Sequence, residues 1–201
     1  MEVRAIVDCK NSLGEGPLWD VRDQKIHWID SLGNKVFRAN ADGSGVETWD
    51  VPAKIGSMAI RENGGAILSL QNGFHVFDFK TGKCSLIVDP EPDKPSTRLN
   101  DGKVDRRGRF IAGSMDMKEK DAIASLYRLD PDGTVTRHIT GVTTSNGIDW
   151  SLDGRLMYFV DTGITFSMNA SSKNGAPAGP PGRKSPVITT RRANAASAGA
   201  T

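Results

Sequence analysis

Four places in the 201-residue sequence combine polar side chains with backbone that few residues permit. Glu15 stands between two glycines and ahead of a proline in Leu13-Gly-Glu-Gly-Pro17. Arg98 and Asn100 lie in STRLNDGKVD, and Asn146 lies in TTSNGIDWS. Asp116, Glu119 and Asp121 share the charged stretch GSMDMKEKDAIAS. Carboxylate and carboxamide oxygens are the donors a hard cation takes, so a glutamate with asparagines suits calcium or a related divalent ion. The histidines do not suggest a Cys/His zinc site, because His27, His75 and His138 are isolated and there are only two cysteines. Gly-x-Gly occurs only in GEGP and GSG, too little to cradle a phosphate. Each place also has a plain reading. Asn-Asp-Gly and Asn-Gly are hairpin-turn signals, Glu15 suits a surface turn, Arg98 suits a solvated loop, and residues 116–121 suit an exposed loop.

The elements that must position these residues read as β throughout residues 1–162. The clearest strands are KIHWID (25–30), KVFRAN (35–40), GAILSL (65–70), FHVFDF (74–79), RFIAGS (109–114), SLYRLD (125–130) and RLMYFVD (155–161). Turn-forming NADGSG, RENGG, KTGK, DPDG and SLDG separate them. A weak repeat recurs as LWDVRDQKIHWID, AIRENGGAILSL, VDRRGRFIAGS and DWSLDGRLMYFVD. Its spacing of roughly forty residues is that of a four-stranded propeller blade. Four such starts predict three complete blades and the opening of a fourth. Loops or inner-strand starts about one repeat apart would then converge on a central channel.

Hydrophobic residues at 37% and charged residues at 25% describe a globular chain, with no apolar run of membrane-spanning length. No secretory signal is read at the start, and two cysteines point to a reducing cytoplasm. All 24 acidic residues lie at or before Asp161, while residues 163–201 carry only the cations Lys173, Arg183, Lys184, Arg191 and Arg192. That stretch, rich in Ala, Gly, Ser and Pro, is expected to be a disordered basic tail. Five scattered charges without interleaved aromatics make a poor nucleic-acid footprint, so no nucleic-acid or membrane partner is expected.

Taken in order, LGEGPLWD, IHWID, RLNDGKVDRRGRFIAGSMD, LYRLDPDG and SNGIDWSLDGRLMYFVDT resemble the regucalcin, senescence-marker and gluconolactonase family over roughly residues 8–162. The resemblance implies an all-β, six-bladed propeller, present here as about three and a half blades. It implies one divalent cation in the channel (calcium, or zinc, manganese or magnesium) and hydrolysis of a sugar lactone such as gluconolactone. Position by position, Glu15 and Asn146 match metal-binding residues, and Arg98 and Asn100 match substrate contacts. A further acidic contact falls near residues 116–121, with the choice among Asp116, Glu119 and Asp121 open. The family's third metal ligand, an aspartate that also serves catalysis, has no counterpart, since no Asp or Glu follows Asp161. No catalytic residue is therefore assigned. The alternative is a non-catalytic calcium- or divalent-metal-binding protein, or an inactive truncated product.

Overall fold

The computed structural model describes residues 2–162 and 187–189. Antiparallel pairing arranges the strands in consecutive groups of four. The first blade is β1 (Gly14–Asp20), β2 (Lys25–Asp30), β3 (Lys35–Asn40) and β4 (Glu47–Asp50). The second is β5 (Ile55–Ile60), β6 (Ala66–Leu70), β7 (Gly73–Phe77) and β8 (Cys84–Val88). The third is β9 (Thr97–Val104), β10 (Phe110–Asp116), β11 (Ala124–Leu129) and β12 (Val135–Val142). β13 (Ser145–Trp150) and β14 (Met157–Asp161) open the fourth, and β15 (Val187–Thr189) pairs in parallel with β14. The expected disorder of residues 163–201 falls, apart from that strand, outside the described residues.

The core lies between blades. Ile29, Val36 and Val51 of the first blade meet Ile55, Met58, Leu68 and Phe77 of the second. Ala59 and Phe74 then meet Leu99, Phe110 and Tyr127 of the third, whose Ile111 and Leu126 meet Ile148 and Phe159 of the fourth. Such face-to-face packing explains why β10 is buried at every residue, with neighbours on both faces. The fourth strands β4, β8 and β12, at the outer edge of each sheet, hold a single buried residue, Val142. Inner strands run side by side, β5 packing on β9 and β9 on β13.

Carboxylates tie the turns. Asp20 accepts the Arg22 amide at 2.9 Å, and Asp105 accepts those of Arg107 and Arg109 at 2.8 and 3.0 Å. These are the acidic turns the repeat marked. An Asp or Ser side chain there mimics a backbone turn and fixes the hairpin between first and second strands.

Candidate functional site

Every inner strand is interrupted at the same level by a register shift. It falls between Glu15 and Leu18 in β1, between Ile55 and Ser57 in β5, opposite Ala112 and Ser114 in β9, and between Asn146 and Ile148 in β13. A bulge leaves one residue outside the ladder and re-aims its side chain. Gly16 and Gly147 follow Glu15 and Asn146 at φ of +55° and +51°, a region that glycine enters without a Cβ penalty. The glycines of GEGP and SNG therefore serve bulges within strands. Asn100-Asp101-Gly102 likewise lies inside β9, so neither NDG nor NG forms the hairpin turn those dipeptides favour.

Two carboxylates brace the chain just ahead of these bulges. Asp30, ending β2, accepts the amides of Ser12 and Leu13 at 2.8 and 2.9 Å, two residues before Glu15 enters β1. Asp161, ending β14, accepts those of Thr143 and Thr144, both at 2.9 Å, immediately before β13. Asp116 holds the corresponding place in β10 but turns to its own loop. It is buried and accepts the amides of Lys118, Lys120 and Asp121 at 3.2, 3.0 and 3.0 Å. Those amides hold its pKa below the usual carboxylate range. Its acceptors are thus used within the loop, whose Glu119 adopts φ of +56°.

Arg98 is buried, and its pKa is pushed down by burial, with Glu119 and Glu15 acting in the opposite sense. The structure therefore brings Glu15, Arg98 and Glu119 within electrostatic reach, whereas Asp121 is an exposed loop residue. Nη1 of Arg98 donates to the Leu99 carbonyl at 3.1 Å. Asn100 is anchored from two blades. Its Nδ2 donates to the Ser145 carbonyl at 2.9 Å, and its own carbonyl accepts Ser57 Oγ at 2.9 Å and Ser69 Oγ at 3.3 Å. Asn146, partly buried, donates from Nδ2 to Thr162 Oγ1 at 3.4 Å, and its Oδ1 has no hydrogen-bond partner among the described residues. Glu15 is exposed.

Sequence reasoning missed Asp101, hidden inside the NDG signal. This half-buried carboxyl faces the amides of Gly102, Gly147 and Ile148, and burial raises its pKa above the ordinary value. It links the third blade to the bulge beside Asn146. The serine pair Ser57 and Ser69, 2.6 Å apart, was equally silent, because isolated serines in strands carry no signal.

Comparison with known proteins agrees with this architecture. A family model described as the SMP-30/Gluconolactonase/LRE-like region matches residues 13–197. Regucalcin of Danio rerio is 37% identical over 172 residues, covering 85% of this chain and 58% of that protein. L-arabinolactonase of Azospirillum brasilense is 35% identical over 161 residues, covering 78% of this chain and 53% of that protein. The solved structure of a calcium-binding protein, regucalcin, from Agrobacterium tumefaciens superposes with a TM-score of 0.71 at 27% identity, covering 76% of this chain and 51% of that chain. The chain spans little more than half the length of these relatives. With its inner-strand bulges, inter-blade cores and matched span, it belongs to the SMP-30/gluconolactonase/LRE-like family of β-propellers.

Proposed function

We propose that the inner strands carry part of a divalent-cation and sugar-lactone site, the chemistry of a metal-dependent lactone hydrolase. The observation that carries this reading is Arg98, a buried guanidinium whose neighbouring carboxylates, Glu119 and Glu15, make no close ion pair with it among the described residues. A buried cation costs free energy unless something uses it, and such groups concentrate at functional sites. The names of the relatives, an arabinolactonase and a calcium-binding regucalcin, supply the ligand classes to test.

The donor set suits a hard cation. Glu15 offers an exposed carboxylate, and Asn146 a carboxamide oxygen without a hydrogen-bond partner among the described residues. Among the described residues no group of three or more His, Cys, Asp or Glu side chains is placed to hold a metal, so water would complete the shell. When bound, the cation supplies Lewis-acid polarisation of the lactone carbonyl. Arg98 donates to the lactone and stabilises the negative charge that grows on its oxygen during attack. Asn100, held by Ser145, Ser57 and Ser69, offers Oδ1 to a ring hydroxyl and fixes the sugar's orientation. Hydrolysis joins the water oxygen to the carbonyl carbon and breaks the bond between that carbon and the ring oxygen. The released ring oxygen takes a proton, and the product is an open-chain hydroxy acid. No described residue is assigned to take the proton from the attacking water.

The test is calorimetric binding of gluconolactam, a lactone analogue that resists hydrolysis, in the presence of calcium. Arg98→Ala is expected to weaken it roughly tenfold, the scale of a hydrogen bond to a charged group. Unchanged binding would contradict the assignment. Cation binding without turnover is a second reading, favoured by the likeness to a calcium-binding regucalcin. It predicts gluconolactone hydrolysis no faster than the uncatalysed rate at saturating calcium.

A further inference from the structure

Two connections flank Arg98 and Glu119: residues 89–96, which lead from β8 into β9, and residues 117–123, which join β10 to β11. Pro90, Pro92 and Pro95 stiffen the first by fixing φ. Strand register attaches only the near end of the second. Thr97 pairs with Asp116 and Arg98 with Met115, and the Met117 amide donates to the Ser96 carbonyl at 3.0 Å. Beyond that point Asp116 gathers the amides of Lys118, Lys120 and Asp121, but these bonds lie within the loop. The far end needs an attachment of its own.

Lys94 supplies it. Its ammonium donates at 2.8 Å to the carbonyl of Ile123, the last residue before β11, and at 3.1 Å to Glu91 Oε1. Its own carbonyl accepts the amide and the hydroxyl of Thr97, at 3.1 and 2.9 Å, immediately before Arg98. One residue thus grips the start of β9 through its backbone and the end of the Glu119 loop through its side chain. Glu91 is fixed in turn. Its carboxylate, 6% exposed, accepts Tyr127 Oη of β11 at 2.8 Å. Burial, with the Glu91 carboxylate adding to it, pushes the Tyr127 pKa up to about 12, so the phenol keeps the proton it donates. An exposed Lys–Glu pair alone would hold little. This one is anchored on a buried carboxylate and spends a second donor on a loop carbonyl.

We propose that Lys94 is a positioning residue for Arg98 and, through it, for the sugar lactone. It keeps the 117–123 loop closed on the start of β9, so that Glu119 stays beside Arg98 and the guanidinium keeps one orientation toward the channel. The inference rests on the lactone reading given above. Lys94 acts on lactone affinity and not on the cation, whose candidate donors Glu15 and Asn146 stand on β1 and β13.

The test is calorimetry of the full chain with calcium alone, and with gluconolactam in the presence of calcium. Lys94→Met keeps the length of the side chain and removes the donor. It should weaken gluconolactam binding roughly fivefold, the scale of one hydrogen bond, and leave calcium affinity unchanged. In a Glu119→Gln background the same change should cost little more, because both act through one pair. Unchanged gluconolactam affinity in Lys94→Met, an equal loss of calcium affinity, or a fully additive loss in the Glu119→Gln background would each overturn the proposal. The Arg98 Nε–H resonance is a readout that needs no ligand, and Lys94→Met should shift it. An unmoved resonance overturns the proposal even in a chain that binds no gluconolactam. A shifted resonance in such a chain upholds the positioning of Arg98 and contradicts the lactone reading alone.

Discussion

Asp30 shows how much of the candidate site depends on one buried carboxylate. Burial pushes its pKa up, but the amides of Leu13, Ser12 and Gly33 outweigh that and leave it below the usual value. A depressed carboxylate stabilises the fold above its unfolded pKa, near ~4, and that contribution disappears as pH falls through the lower folded value. Urea unfolding should therefore show stability dropping below about pH 4, with a shallower drop in Asp30→Asn. Asp30→Ala leaves the Ser12 and Leu13 amides unpaired and should cost about 2 kcal/mol. Unchanged stability in Asp30→Ala would refute the bracing role. Glu15, Arg98, Asn100 and Asn146 could be picked out in the sequence because their types and neighbours are unusual. Their supports could not. Asp30 and Asp161 read as the ends of strands, and Ser57 and Ser69 as ordinary strand residues, since their partners are distant along the chain.

At the scale of elements, the strand signal was sharpest where one hairpin is regular. β2 and β3 coincide with KIHWID and KVFRAN to the residue, because an unbroken register and a tight turn leave few alternatives. β9 and β13 were hidden by turn signals, because a bulge places Asn, Asp and Gly inside a strand. The outer strands β4, β8 and β12, short of buried residues, gave little pattern. Gly56 illustrates how inner strands constrain each other. A Cβ there would sit 2.5 Å from the Cα of Asn100 and against its carbonyl, both of them backbone. Gly56→Ala should thus force the second and third blades apart and cost roughly 1–3 kcal/mol in thermal or urea unfolding. It should also weaken gluconolactam binding by displacing Asn100. Phe77, wholly buried between the first and second blades and edge-on to Trp49, should cost about 3–5 kcal/mol when replaced by alanine.

For the whole molecule, the four-blade repeat was legible because each blade repeats one strand–turn–strand block around an acidic or serine turn. What is carried between blades was not legible. The cores and the Asn100 anchors both join residues from two repeats. Within the SMP-30/gluconolactonase/LRE-like family this chain places one carboxylate and one carboxamide at matching bulges of its first and fourth blades. We propose that those two residues, three blade repeats apart in sequence, hold one cation together. Isothermal titration of the full chain with calcium tests it most directly. A single saturable site is predicted, weakened roughly tenfold or more by Glu15→Gln and by Asn146→Ala alike, and unaffected by Asp121→Asn. Calcium binding that survives both Glu15→Gln and Asn146→Ala unchanged, or that is absent from the unmodified chain, would contradict it.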